Sequence, residues 1–137
     1  YVPCSSCNLK QLRCVYEIRR EIGIVEHHHK KIIMKENYDK INNETDIDNL
    51  IKFIGESKII ITNSYHALYF SALLNKKCVL YNSFSEKFDN IIFNYIKYKE
   101  NLEFNEIKSN KMNKGLLQNN IKINDTFYSD ILSKLTE

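Results

Sequence analysis

A histidine, a lysine and several small hydroxyl and amide side chains fall at two places where a fold of alternating strands and helices would expose them. The first is Asn63-Ser64-Tyr65-His66, a polar break between an apolar run and a helical pattern. The second is Ser83, Ser85 and Lys87, in the polar stretch after the next apolar run. An imidazole in the first turn of a helix sits beside free backbone N–H groups and the positive end of the helix dipole, so anions are favoured there. With an ammonium from a neighbouring loop, such a place can hold a small anion and move a proton, because imidazole titrates near neutrality. The same residues also allow a plainer account, in which His66 only caps a helix and Lys87 is a solvated charge.

These residues need a scaffold that brings the two loops together, and the chain between Lys58 and Lys87 supplies one. Ile59, Ile60 and Ile61 form a β-branched run without polar alternation, which suits a strand covered on both faces. Residues 65–74 carry apolar side chains at 65, 68, 69, 72 and 73, a helical spacing, with Ser64 at the N-cap position. Residues 78–81 read as a second buried strand. Strand, crossover helix and strand in that order make a right-handed parallel unit. Ligands of open parallel sheets bind outside the carboxyl ends of the strands, so both loops open on one side.

Upstream, Ile22-Gly23-Ile24-Val25 makes a strand over 21–26 that runs into His27-His28-His29. If it is parallel to the others, one of these histidines, with His28 as the candidate, reaches the same pocket; otherwise the run is a turn with nothing bound. Residues 31–35 fit a short strand or the start of a helix equally, and 37–44 read as a polar linker. Thr45-Asp46 caps a helix over 47–56, whose apolar stripe falls at 47, 50, 51 and 54. Residues 88–98 have helical spacing, 100–120 read as a surface loop, and 125–135 as a short closing helix capped by Asp125. The expected fold is one α/β domain over 1–137, a Rossmann-like parallel sheet flanked by helices.

Composition narrows the function. A 137-residue chain accommodates one domain. Twenty basic and 17 acidic residues are interspersed for a net charge of +3, so nucleic acid and membrane are not demanded as partners. No stretch approaches the roughly 18 apolar residues of a membrane span, and no signal-peptide pattern opens the chain. The expected location is the cytoplasm, at most peripheral to the inner membrane. Tyr1-Val2-Pro3-Cys4 reads as the interior of a longer sequence, so a preceding domain, or a second copy, is an expected partner. Cys4, Cys7 and Cys14 could be joined by His27, His28 or His29 in a zinc site, but the spacing is not that of a ribbon or finger. Free thiols, no metal and no cofactor are expected, with Cys78 a small core residue.

Taken in order, several motifs together resemble a known family. Tyr1-Val2-Pro3-Cys4-Ser5-Ser6-Cys7, the strand ending in His27-His28, Thr62-Asn63-Ser64-Tyr65-His66, Leu73-Leu74-Asn75-Lys76-Lys77 and Phe84-Ser85-Glu86-Lys87-Phe88 resemble the carboxyl-terminal half of bacterial polysaccharide pyruvyl transferase-like proteins from capsule and exopolysaccharide clusters. The likeness covers about residues 1–90. It implies a glycosyltransferase-B-like architecture of two Rossmann-type halves, this being the second, with the active site in the cleft between them. It also implies transfer of a pyruvyl group from phosphoenolpyruvate to two hydroxyls of a saccharide acceptor, forming a ketal. His66 would be the acid/base. Lys87 and the helix start at 64–66 would hold the anionic donor, with Asn63, Ser64, Tyr65, Ser83, Ser85 and His28 as further binding candidates. Many such transferases carry Arg two residues before the His, where this chain has Ser64. Without that bidentate grip the donor could instead be a nucleotide-sugar, and a non-catalytic interaction module is a third reading.

Overall fold

The apolar runs become the middle of a parallel sheet. The computed structural model describes residues 2–109 and 112–136. Its strands are β1 (Arg20–Glu26), β2 (Asp39–Asn42), β3 (Ser57–Thr62), β4 (Lys77–Leu80) and β5 (Ile96–Lys97). They lie in the order β2-β1-β3-β4-β5, and every neighbouring pair is parallel. From β1 the chain steps outward to β2, then crosses back over β1 to β3 and continues to β4. Right-handed crossovers in opposite directions must use opposite faces of the sheet. The cores agree: α1 (Ile47–Gly55) and α2 (Tyr65–Leu73) pack with Val25, Ile60, Cys78 and Leu80 on one face. The β1-to-β2 crossover packs Ile32 with Ile24, Ile59, Ile61 and Val79 on the other. This is a Rossmann-like α/β fold.

Local chemistry explains why the helices begin where they do. Asp46 is the N-cap of α1 and accepts a hydrogen bond from the Asn49 N–H, and Leu50, Ile51 and Ile54 face the core. Ser64 occupies the N-cap position of α2, but its hydroxyl makes no capping bond. Seven consecutive residues of α2, Ala67 to Leu73, are buried, so this helix is enclosed on nearly all sides and has no one-sided stripe.

Several expectations for the less patterned segments are corrected. Residues 31–35 form neither strand nor helix; Ile32 anchors an irregular crossover there. The supposed linker over 37–44 contains β2, an edge strand whose residues are half-buried or exposed and therefore lack an apolar signature. Residues 88–98 are not helical: Phe88 and Phe93 plug a loop into the core, and β5 follows. The supposed surface loop over 100–120 contains α3 (Phe104–Ser109) and the start of α4 (Leu116–Thr136). Asp125 therefore lies inside a 21-residue helix and caps nothing.

Gly23 marks the tightest packing in the sheet. A Cβ there would stand 2.6 Å from Ser57 Oγ and 2.8 Å from the Phe53 ring. Neither neighbour is free to retreat, because Arg20 donates to Ser57 Oγ and to the Phe53 carbonyl and lies 4.1 Å over the Phe53 ring. Gly23→Ala is expected to destabilise the fold by about 1–3 kcal/mol through overpacking. The change should appear in urea melts as a lower midpoint with an unaltered slope.

Candidate functional site

The site is built where β1 and β3 end side by side. Thr62, the last residue of β3, donates from Oγ1 to the Val25 carbonyl at 2.5 Å and accepts from the Ser64 N–H at 3.0 Å. Asn63 then ties the two loops together: its Oδ1 accepts from the His27 N–H at 2.7 Å and its Nδ2 donates to the Lys30 carbonyl at 2.8 Å. Glu26, buried at the end of β1, accepts from the Ile32 N–H at 3.0 Å and pairs with Lys31 at 3.1 Å and Lys40 at 3.3 Å. Burial alone would raise its pKa, but these partners outweigh it and hold the carboxyl below the usual range. Beyond β2, Asn43 Oδ1 accepts from the His28 N–H at 2.8 Å and lies 3.1 Å from His28 Nδ1. On the other side the loop after β4 leans in, Phe84 against His27 at 5.1 Å and Phe88 against Tyr65 at 5.9 Å between ring centres.

Loops from four strands therefore meet on one rim, and the rim is rich in cations. His66 is exposed, its ring resting against Tyr65 and Phe70. Its pKa is lowered, first by partial loss of solvent and then by the positive charge of Lys87. The loop after β4 thus acts on the imidazole of α2 through the charge of Lys87. Lys87 is itself exposed and fixed at its backbone, where its N–H donates to Ser85 Oγ, the cap of a short 3-10 turn over Glu86–Phe88. Because Ser64 does not cap α2, no side chain among the described residues accepts from the N–H groups of His66 and Ala67. Backbone donors left without a side-chain acceptor in the first turn of a helix are what an anion can use.

The three histidines after β1 form a second cluster. The rings of His27 and His28 stand 4.3 Å apart and those of His28 and His29 3.8 Å apart. The pKa of His27 is lowered by burial and by its two neighbours, with Glu44 pulling the other way.

The proposed site residues divide into two groups. Lys87 acts on His66 through its charge; Ser85 orders the Lys87 turn, and Ser83 is exposed. Asn63 and Ser64 are buried, and the Asn63 amide is occupied in joining the loops, which makes it a positioning residue. Tyr65 turns toward Tyr69 and Phe88, and His28 toward Asn43. Sequence reasoning missed Glu26 and Asn43. A carboxylate closing an apolar strand was the available signal for Glu26; Asn43 had none once β2 was read as a linker. Cavities of about 360, 600 and 720 Å3 lie at the amino ends of the strands, beside α4, and on the second sheet face; none of the three includes His66 or Lys87. All four cysteines are free, with Cys7 buried against Asn124. Among the described residues no group of three or more His, Cys, Asp or Glu is arranged to hold a metal ion, and no helix is long and apolar enough to cross a membrane.

The model of the polysaccharide pyruvyl transferase family matches residues 7–86, more than half of the chain, a stretch that includes His66 and ends just before Lys87. No curated protein and no solved structure matches the chain.

Two outcomes follow from the rim itself. Asn63→Ala removes two of the links between the ends of β1 and β3, the bonds to the half-buried His27 N–H and to the Lys30 carbonyl, at an expected cost of about 1–3 kcal/mol in chemical denaturation. His66 and His27 both have folded pKa values below the ordinary 6.5, so the unfolded chain takes up protons more readily. Their contribution to stability is complete above 6.5 and is lost as the pH falls below it. Melting temperatures measured across that range should decline toward acid, and His66→Gln should flatten the decline.

Proposed function

The chain belongs to the polysaccharide pyruvyl transferase family, and from that premise we propose that its carboxyl-end rim holds phosphoenolpyruvate while a pyruvyl group passes to a sugar. The family makes the chain a polysaccharide-modifying transferase. The donor, the ketal product and a place in bacterial capsule or exopolysaccharide synthesis are our reading. So is the pairing of this domain with a preceding Rossmann-type half in a glycosyltransferase-B-like enzyme, the acceptor lying in the cleft between them.

The observation that carries the proposal is the coupling of His66 to Lys87 beside the uncapped start of α2. Ketal formation from an enol phosphate needs a proton at the methylene carbon, whereupon the electron pair of the double bond forms the new C–H bond and the adjacent carbon becomes cationic. One sugar hydroxyl attacks that carbon and loses its proton. Phosphate then leaves, and a second hydroxyl closes the ketal. His66 is suited to deliver and collect these protons. Without ligand, partial burial and Lys87 keep the imidazole largely neutral. A phosphate and a carboxylate beside it would offset Lys87 and let it protonate, so donor binding itself would arm the acid. Lys87 and the His66 and Ala67 N–H groups would carry the donor's negative charge. Asn63, Glu26 and Asn43 would keep the surrounding loops in place.

One observation favours a second reading. Ser64 stands where the family resemblance implies an arginine, and its buried hydroxyl cannot replace a guanidinium. On this second reading the anion held is the diphosphate of a nucleotide-sugar. Calorimetry separates the two. Phosphoenolpyruvate binding that is lost in His66→Ala, and weakened at least about tenfold in Lys87→Ala by removal of a charged contact, supports the proposal. Binding of a UDP- or CMP-linked compound without phosphoenolpyruvate binding supports the alternative. A response to neither contradicts both and leaves a non-catalytic interaction module.

A further inference from the structure

The rim makes no use of the cysteines near the start of the chain, and two of them are arranged as a pair. Cys4 and Cys7 are the ends of one turn: the Cys7 N–H donates to the Cys4 carbonyl at 3.2 Å, and Ser5–Asn8 form a 3-10 helix with Cys4 at its N-cap. A turn closed in this way holds its end Cα atoms within about 7 Å, close to the span of a disulfide. Their surroundings differ. Cys4 is exposed, with its Sγ 3.0 Å from Ser6 Oγ, a hydroxyl able to donate to a thiolate. Cys7 is fully buried, and its Sγ accepts from Asn124 Nδ2 of α4 at 2.9 Å. Asn124 is 1 % exposed and its Oδ1 has no partner among the described residues, so the bond to Cys7 is the one its side chain makes there. The other two thiols are engaged elsewhere. Cys14 lies beyond a second 3-10 turn (Lys10–Arg13) and donates to the Lys10 carbonyl at 3.8 Å. Cys78 is enclosed in the core, where burial pushes its pKa up and leaves it unreactive.

We propose that Cys4 and Cys7 are a dithiol that exchanges with small-molecule disulfides such as oxidised glutathione, and that Asn124 favours its reduced form. The exposed Cys4 thiolate attacks one sulfur of the small disulfide. That S–S bond breaks, one small thiolate leaves, and a mixed disulfide stands on Cys4. The Cys7 thiol then gives its proton to solvent, its sulfur attacks Cys4 Sγ, and the second small thiolate leaves. Both small thiolates take up protons, so two electrons pass from the pair to the small disulfide, which ends as two thiols. Cys4 begins the exchange because Cys7 is sealed from solvent, and Cys7 completes it because it stands one turn away. A disulfide sulfur accepts a hydrogen bond more weakly than a thiol or thiolate does, so oxidation strips the buried Asn124 amide of its partner. The pair is thereby biased toward reduction, and its state is felt by the helix to which Asn124 belongs.

This proposal is independent of which donor the rim holds. The test places the chain carrying Cys14→Ser, an exposed position, in glutathione buffers of graded ratio, quenches with acid, alkylates the free thiols and maps the peptides by mass spectrometry. The expected result is a Cys4–Cys7 disulfide that forms with oxidised glutathione and is reversed by reduced glutathione. Thiols that stay free, or a Cys4 that halts at the mixed disulfide with glutathione, overturn the pair. Adding Asn124→Leu, which is similar in size and lacks the donor, should move half-conversion about fivefold toward the reducing side, the worth of one hydrogen bond. Hydrogen exchange at residues 117–124, which needs no substitution there, should quicken when the pair is oxidised. A ratio that Asn124→Leu does not move, or exchange that oxidation leaves unchanged, overturns the role given to Asn124.

Discussion

Everything at the rim depends on how β1 and β3 finish beside one another. They are the strands from which the chain departs in opposite directions, so the loops that follow them diverge and leave a crevice. Left alone, two such loops would be free to separate. Thr62 and Asn63 prevent this with three hydrogen bonds across to backbone groups of Val25, His27 and Lys30, so the loops are fixed whatever side chains decorate them. Glu26 performs the same task one step out. Its carboxylate gathers the Ile32 N–H and two lysines, and holds an otherwise irregular crossover against the sheet.

That construction explains why the sheet was legible and its periphery was not. The central strands are buried on both faces, so Ile22 to Val25, Ile59 to Ile61 and Cys78 to Leu80 are nearly uninterrupted apolar runs. α1 could be read from the Asp46 cap and its stripe. β2 escaped because an edge strand needs no apolar face, and Asp39-Lys40-Ile41-Asn42 resembles a linker. Residues 88–98 suggested a helix because Phe88, Ile91, Ile92, Tyr95 and Ile96 fall at helical spacing, but the fully buried side chains are Phe88 and Phe93, five apart, a spacing that a loop satisfies. Asp125 looked like a cap because a short polar residue before an apolar stripe is the usual signal, and nothing local reveals that the helix began nine residues earlier. At the site, residue types and loop positions were legible; the division of labour was not. Asn63 could be placed at the rim from sequence, but its use as a clamp depends on His27 and Lys30, more than thirty residues away.

The chemistry follows from electrostatics more than from shape. The rim gathers His27, His28, His29, His66, Lys30 and Lys87 where α2 leaves its first N–H groups uncapped, and no deep cavity is needed to hold a small dianion there. On the proposed reading Lys87 would both attract that anion and disfavour the charged form of His66 in its absence, linking proton affinity to donor occupancy. Membership of a family that modifies polysaccharides gives the link a purpose: the proton would be available when the enol carbon is in place.

The most direct measurement is therefore an NMR titration of the His66 imidazole in the unaltered chain, in Lys87→Ala, and with phosphoenolpyruvate added. The expected midpoint lies below the ordinary 6.5 in the free chain and rises both when Lys87 is removed and when the donor is bound. A midpoint that neither change moves would mean that the imidazole and the ammonium do not share a site.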